Sequence, residues 1–406
     1  MRFLLTNLLV VVMVLFNLGT PSAFAEESSS LEPNTLTGQS AILIDATTGQ
    51  VLFEKNSHEK LYPASITKIA TGIYAIEKGN LDDTVTVSKK ARREEGTRVY
   101  LEEGERISLR NLLYGLLMNS GNDAGTAIAE HMSQTTERFA VDLNAYLKEK
   151  VGVTETNFTN PHGLHDPNHY TTVSDMAKIS QYAMKNPVFR EIVGTKRLPW
   201  HGQTWETVLV NHNKLLRDYE GATGMKNGFT DQAMHTLVGS AKRGEMELIA
   251  VTMKASTSAN AYKDVKKLLD FGFQGFETKS IAKKGDSFSE VAVPGNTSVV
   301  TFTAKEDLYA TVPKGAEPLV ELKADGSLSV QAGKLAVSYP LLRHDPPAPA
   351  PATVFGDSES GNTHPLARYS VLIVWLGMNL FLIVYTFSRA QRNKRIRERS
   401  LQRRFH

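Results

Sequence analysis

The 406-residue chain contains no cysteine, which excludes disulfides, thiolate catalysis and cysteine-held metal clusters. The fold must then rest on packing, and the chain is long enough to bury a full core. A broad basic face is also missing. The formal charge of +3 comes from one end: residues 388–406 hold eight Lys/Arg and one Glu, whereas residues 26–387 hold 37 basic and 42 acidic groups. No nucleic-acid partner is expected from such a balance. No internal repeat at solenoid spacing is present either.

Long apolar runs occur only near the two ends. Arg2, an apolar stretch over 3–18 and Ala23-Phe24-Ala25 read as a cleavable signal peptide over 1–25, with an uncleaved anchor as the competing reading. Residues 369–387 are 19 in a row without a charge, long enough to span a bilayer. Arg389, Arg392, Lys394, Arg395, Arg397 and Arg399 follow at once. Positive charge stays on the cytoplasmic side, so the expectation is a single-pass protein of the cell membrane. A basic cytoplasmic tail (388–406) would lie inside and everything from 26 to the span outside.

Between these ends the hydrophobic period changes several times. Ser40–Asp45 and the run from Val51 read as a β-hairpin, and a helical region is expected from Pro63. Leucines at 109, 112, 113, 116 and 117 repeat with a helical period. Further helices are expected over about 123–131, 139–148 and 173–184, with a loop rich in Asn, Pro and His at 157–172 between them. A second hairpin is expected over 236–253 and an amphipathic helix over 265–273. Hairpins at both ends with helices between predict an α/β chain of the α+β type, one antiparallel sheet covered by helices. Residues 279–342 show short alternating runs between Gly and Pro turns and read as a small β domain. A Pro-rich, polar linker (345–368) leads on to the span.

Three short motifs carry chemistry. In Tyr62-Pro63-Ala64-Ser65-Ile66-Thr67-Lys68, a Ser and a Lys three apart share one helix face. A serine hydroxyl needs a neighbouring base, and a lysine in a dry pocket can be neutral enough to serve. Ser120-Gly121-Asn122 sits between two helices, where a hydroxyl and an amide could relay a proton and bind a substrate amide; a plain helix break is the bland alternative. Lys226-Asn227-Gly228-Phe229 begins a strand. A lysine beside a glycine would let a ligand approach the backbone while a cation meets its carboxylate.

Ser-x-x-Lys, Ser-x-Asn and Lys-x-Gly in this order resemble the motif set of penicillin-binding proteins and class A β-lactamases. With the phrase Tyr-Pro-Ala-Ser-Ile-Thr-Lys, the run from Leu112 to Ala124 and Asn160-Pro161-His162-Gly163-Leu164, the chain resembles the low-molecular-weight penicillin-binding proteins. These are the D-alanyl-D-alanine carboxypeptidases of peptidase family S11. The resemblance implies a transpeptidase-like serine DD-peptidase domain over 38–276. Ser65 would be the nucleophile and Lys68 its base. Ser120 and Asn122 would assist proton transfer and hold the acyl chain. Lys226, Asn227 and Gly228 would bind the terminal carboxylate, and the backbone N–H groups of Ser65 and Phe229 would form the oxyanion hole. The substrate would be the peptidoglycan stem peptide, with β-lactam antibiotics as covalent inhibitors. No metal or cofactor is implied, and His162 and His165 are read as loop structure.

Two positions depart from the family pattern: Asn227 stands where threonine is usual, and Ala261 where many relatives carry a carboxylate-binding arginine. A β-lactamase would need a Glu-x-x-x-Asn element between Ser120 and Lys226, and none is there. A non-catalytic wall-binding scaffold and a DD-endopeptidase with the same nucleophile stay open at the level of sequence.

Overall fold

The computed structural model describes residues 31–291 and 299–344. The expected signal peptide, Pro-rich linker, membrane span and basic tail lie outside the described residues. No helix among the described residues is long and apolar enough to cross a membrane.

Five antiparallel strands form the central sheet: β1 (Ser40–Asp45), β2 (Val51–Lys55), β7 (Ala222–Thr230), β8 (Met234–Arg243) and β9 (Met246–Ala255), in the order β2-β1-β9-β8-β7. Two small two-stranded sheets lie apart from it, β3 (Thr84–Thr86) with β4 (Arg106–Ser108), and the hairpin β5 (Arg197–His201) with β6 (Glu206–Val210). Side chains alternate across a strand, and here both faces are covered. Ile42 and Ile44 of β1, with Ile249, Val251 and Met253 of β9, enter the larger core. Ala41 and Leu43, with Leu248 and Ala250, enter a second core on the other face. That double coverage is why β1 is buried at every position.

The larger core is made by α1 (Lys68–Lys78), α3 (Leu109–Met118), α4 (Asn122–Ser133), α5 (Thr136–Tyr146), α6 (Val173–Met184) and α7 (Pro187–Gly194). The short α2 (Lys89–Arg92) packs beside α4, and one turn, α8 (Leu215–Asp218), precedes β7. On the opposite face α9 (Ser258–Gly275) lays Val265, Leu268, Leu269 and Phe273 on the sheet. Local chemistry sets the helix starts. Ser108, Thr135, Thr172 and Thr257 each accept the backbone N–H three residues on.

The structure shifts several expected elements. The helix expected over 265–273 begins earlier, at Ser258, because Thr257 caps it. The region after Pro63 starts as a tighter turn, Ala64–Thr67, before α1. Helix α7 and the β5–β6 hairpin were not expected.

Strands β10 (Phe276–Ala282), β11 (Ser287–Val291), β12 (Val299–Thr303), β13 (Leu308–Pro313), β14 (Leu319–Leu322), β15 (Ser327–Ala332), β16 (Leu335–Pro340) and β17 (Leu342–His344) follow α9 directly. They form small antiparallel sheets around Phe302, Leu308, Leu328 and Val330. This β region is tied to the first hairpin. Thr311 donates its N–H to Gln50 (2.7 Å), and Thr278 its hydroxyl to Asp45 (2.5 Å).

Candidate active site

Ser65 lies in the turn between Pro63 and α1, and its backbone is held from several sides. Thr67 donates to Ala64 O (2.9 Å) and Thr236 of β8 donates to Pro63 O (2.8 Å). Ala64 takes a positive φ of 50°, a strained state for a residue with a side chain. Gly163 (φ 86°) presses against the same turn: a Cβ there would stand 1.9 Å from Ala64 O. Gly228 does the same from β7. A Cβ at 228 would come to 2.7 Å from the backbone nitrogen of Ser65. At Gly228 the backbone thus closely approaches the turn that carries Ser65.

Lys68 opens α1 and is fully buried. Its Nζ lies 3.0 Å from Ser65 Oγ, 2.7 Å from Asn122 Oδ1 and 2.6 Å from the carbonyl of His162. Burial and then the Lys226 cation push its pKa well below the usual lysine range. Lys226, in the middle of β7, is also buried. Burial lowers it to about 7, and its Nζ donates to Asn227 O at 2.8 Å.

Asn122 is the first residue of α4. Its carbonyl oxygen accepts from Lys68, and its NH2 donates to Glu95 O (2.6 Å). Beside it Asp123 is buried and accepts the N–H groups of Val99 and Leu101, which hangs the 96–101 loop on the start of α4. Ser120 holds a positive φ of 65° in the turn before α4, and its hydroxyl has no hydrogen-bond partner among the described residues.

A cavity of about 610 Å³ opens over Ser65, lined also by Gly96, Asn122, Leu164, Phe229 and Thr230. Strand β7 ends the sheet, so its outer edge is free of strand pairing and faces the Ser65 turn. Thus Lys68 contacts both Ser65 and Asn122, and strand β7 with Lys226 to Phe229 borders the Ser65 turn. Ala261 is buried in the core beneath α9 and brings no charge to the cavity.

A layer beneath Lys68 carries no signal in the residue types. His162 lies in the loop expected for it, and its carbonyl is a direct partner of Lys68. Its ring is buried beside Glu94 (Nε2 to Oε2 3.5 Å). Burial alone would raise Glu94, but hydrogen bonds from His162 and Thr126 outweigh it and hold the carboxyl at about 2. A backbone carbonyl carries no residue-type signal, so only the phrase 160–164 could have drawn attention to this loop.

The profile of the D-alanyl-D-alanine carboxypeptidase family, Peptidase S11, matches residues 26–257. The chain belongs to that family. A second profile, the C-terminal domain of penicillin-binding protein 5, matches residues 276–332 of the β region. Among S11 relatives, the D-alanyl-D-alanine carboxypeptidase DacF of Bacillus subtilis is 35% identical over 82% of this chain and 88% of its own length. DacC of Escherichia coli is 36% identical over 76% and 79%. The crystal structure of penicillin binding protein 5 from Haemophilus influenzae superposes with a TM-score of 0.69 at 30% identity, covering 78% of this chain and 99% of its own. The fold is thus the penicillin-binding, transpeptidase-like α/β fold with a C-terminal β domain.

Proposed function

We propose that this S11 protein is a serine-type D-Ala-D-Ala carboxypeptidase that removes the terminal D-alanine of peptidoglycan stem peptides through an acyl-enzyme on Ser65. The contact of Lys68 Nζ with Ser65 Oγ (3.0 Å) carries this reading. Burial and the nearby Lys226 charge favour neutral Lys68, so the amine can take the Ser65 proton as Oγ attacks the carbonyl. Asn122 and His162 O keep Nζ in place. The N–H groups of Ser65 and Phe229 receive the developing oxyanion, a role supported by the close approach that Gly228 permits.

Lys226, Asn227 and Gly228 attract the terminal carboxylate. Ser120, with an uncommitted hydroxyl, passes the proton on to the leaving nitrogen, and water then frees Ser65. A β-lactam would acylate the same oxygen. The missing Glu-x-x-x-Asn element favours a long-lived adduct. The charge-free run at 369–387, followed by the cationic tail, supports a membrane tether with this site outside the cell.

The test is D-alanine release from a peptide ending in D-Ala-D-Ala by the full-length protein in detergent, beside Ser65→Ala. Release and covalent penicillin capture should both vanish in the variant. Unchanged release in Ser65→Ala would sink the nucleophile assignment, and no release from folded wild type would leave a non-catalytic wall-binding protein as the reading.

A further inference from the structure

When Lys68 takes the Ser65 proton, a positive charge appears on a fully buried side chain. The groups that touch its Nζ, namely Ser65 Oγ, Asn122 Oδ1 and the His162 carbonyl, are all neutral dipoles. Lys226 opposes the new charge, and the carboxylates of Asp123 and Glu94 favour it. A buried ammonium is costly without such a counter-charge. Asp123 is already engaged in building the fold, since it accepts the N–H groups of Val99, Leu101 and Ala124. Glu94 has a different setting.

Glu94 stands two residues after α2, between the segments that hold the Lys68 network. Its Oε2 accepts the Thr126 hydroxyl of α4 (2.6 Å) and lies 3.5 Å from His162 Nε2. Both side chains are shielded, Glu94 at 15% exposure and His162 at 6%. The ring of His162 is oriented: Nδ1 faces the Leu164 N–H (3.3 Å), which leaves Nε2 as the protonated nitrogen on the carboxylate side. Main chain at the same place supplies two acceptors. His162 O receives Lys68 Nζ, and Glu95 O receives the Asn122 NH2 (2.6 Å). The Glu94–His162 contact therefore joins the two backbone segments that hold Lys68 and Asn122.

We propose that Glu94 is a positioning residue for Lys68: through His162 it fixes the carbonyl that receives Nζ, and its carboxylate is the counter-charge for the ammonium formed as Ser65 attacks. The proton passes from Ser65 Oγ to Nζ while Oγ bonds to the substrate carbonyl carbon. It leaves Nζ again for the leaving nitrogen as the scissile bond breaks. Glu94 exchanges no proton; its carboxyl, held at about 2, stays ionised throughout. The other charged or titratable groups facing this layer are Lys226 of β7, Asp123 of α4, Lys90 of α2 and His169 of the 157–172 loop. Lys90 is bonded to Thr136 and Glu137, and His169 to Thr67. The inference rests on the reading of Lys68 as the base for Ser65.

The experiment uses the full-length protein in detergent. Two rates are followed against pH, D-alanine release from a pentapeptide ending in D-Ala-D-Ala and acylation by a fluorescent penicillin, with thermal melting as the check on folding. In Glu94→Gln the lysine loses its counter-charge, so its pKa falls and the acid limb of both profiles should move to lower pH by about half a unit or more. A weaker base also slows the step: the plateau should fall about tenfold, in kcat, with KM within about twofold of wild type. The alkaline limb, which belongs to Lys226, should stay in place. Glu94→Asp keeps the charge and should return the acid limb to within about 0.2 unit of wild type. An unmoved acid limb in folded Glu94→Gln would overturn the proposal, whatever the loss of rate. So would an Asp variant whose limb moves as far as that of Gln, since altered packing and not lost charge would then be at work. His162→Gln keeps both the main-chain carbonyl and the Glu94 charge, and tests the proposal even where Glu94→Gln fails to fold. Its plateau should drop about threefold or more with the acid limb in place, and a wild-type plateau would overturn the positioning role. Wild type that is acylated by penicillin but releases no D-alanine would overturn the carboxypeptidase reading alone, because the acylation profile still reports Lys68.

Discussion

The two sides of Ser65 are built to different standards. Toward α1 and α4, Lys68 Nζ has three partners and both ends of the Asn122 amide are used; among the described residues only the Ser120 hydroxyl there stays uncommitted. Toward β7 and the leaving group, the partners are sparse. Lys226 Nζ turns to the carbonyl of its own neighbour, Asn227 Oδ1 lies 3.4 Å from it, and Ala261 supplies no charge. A fully satisfied buried network is rigid and costly to alter, because each orphaned group pays its desolvation. A sparsely partnered side chain leaves fewer groups orphaned when it is replaced. The Lys68 side of this site is therefore the more tightly constrained by hydrogen bonds.

The sharpest way to break that contrast is Lys68→Ala. It removes the base and strands Asn122 Oδ1 and the His162 carbonyl. We expect kcat/KM for D-alanine release to fall about 10³-fold. Acylation by a fluorescent penicillin, followed in stopped flow, should slow in parallel. A loss under tenfold would place the base elsewhere. Gly228→Ala comes next. Its methyl would meet Ser65 N at 2.7 Å, so β7 must retreat from the nucleophile's turn. A displacement of this kind costs about 100-fold in rate. A variant that melts like wild type yet acylates at the wild-type rate would show that the two elements are not coupled.

The pH profile separates the halves directly. Lys68 must be neutral, so kcat/KM should rise as pH climbs through its lowered pKa. Lys226 must be charged to attract a carboxylate, so kcat/KM should fall about tenfold per unit above its pKa of about 7. Bound carboxylate favours the charged lysine, which moves this limb to higher pH in the profile of kcat. The same alkaline limb in kcat and kcat/KM would mean that Lys226 does not meet the substrate carboxylate. Stability should show the reverse side of the same burial. The folded pKa of Lys226 lies below its unfolded value, so the folded state binds fewer protons and is penalised as pH falls from about 10.5 to about 7, fully below that. Lys226→Met removes the penalty. It should raise Tm by a few degrees at pH 7 while impairing turnover. A lower Tm would mean that the buried amine has partners enough to offset its desolvation.

The same contrast explains what could be read in the sequence. The hairpins β1–β2 and β8–β9 were legible because long β-branched and aliphatic runs bounded by turns have few other folds. The motif residues were legible as a set of types in order. The β5–β6 hairpin was not: Pro199 interrupts β5, and Trp200 and Leu209 are its only buried side chains. Helix α7 is eight residues long and begins with proline after an asparagine cap, which reads equally well as a turn. Within the site, what stayed hidden acts through main chain. The His162 carbonyl, the Glu95 carbonyl and the N–H groups of the 96–101 loop are brought together by tertiary packing alone, and no residue type announces them.

Asn227 is the mildest and most informative position on the sparsely partnered side. Its side chain lines a groove beyond the carboxylate motif, while its backbone pairs with Leu237 in the sheet. Threonine would suit the strand at least as well, being β-branched, and would place a hydroxyl closer to the main chain than the asparagine amide. A gain of one modest hydrogen bond to the terminal carboxylate is worth about 1 kcal/mol, or roughly fivefold. Asn227→Thr should therefore lower KM for the pentapeptide roughly threefold to tenfold and leave kcat nearly unchanged, because the Lys68 side is untouched. A change in kcat with KM constant would show that residue 227 acts on the transition state, and the division between the two sides would have to be redrawn through β7 itself.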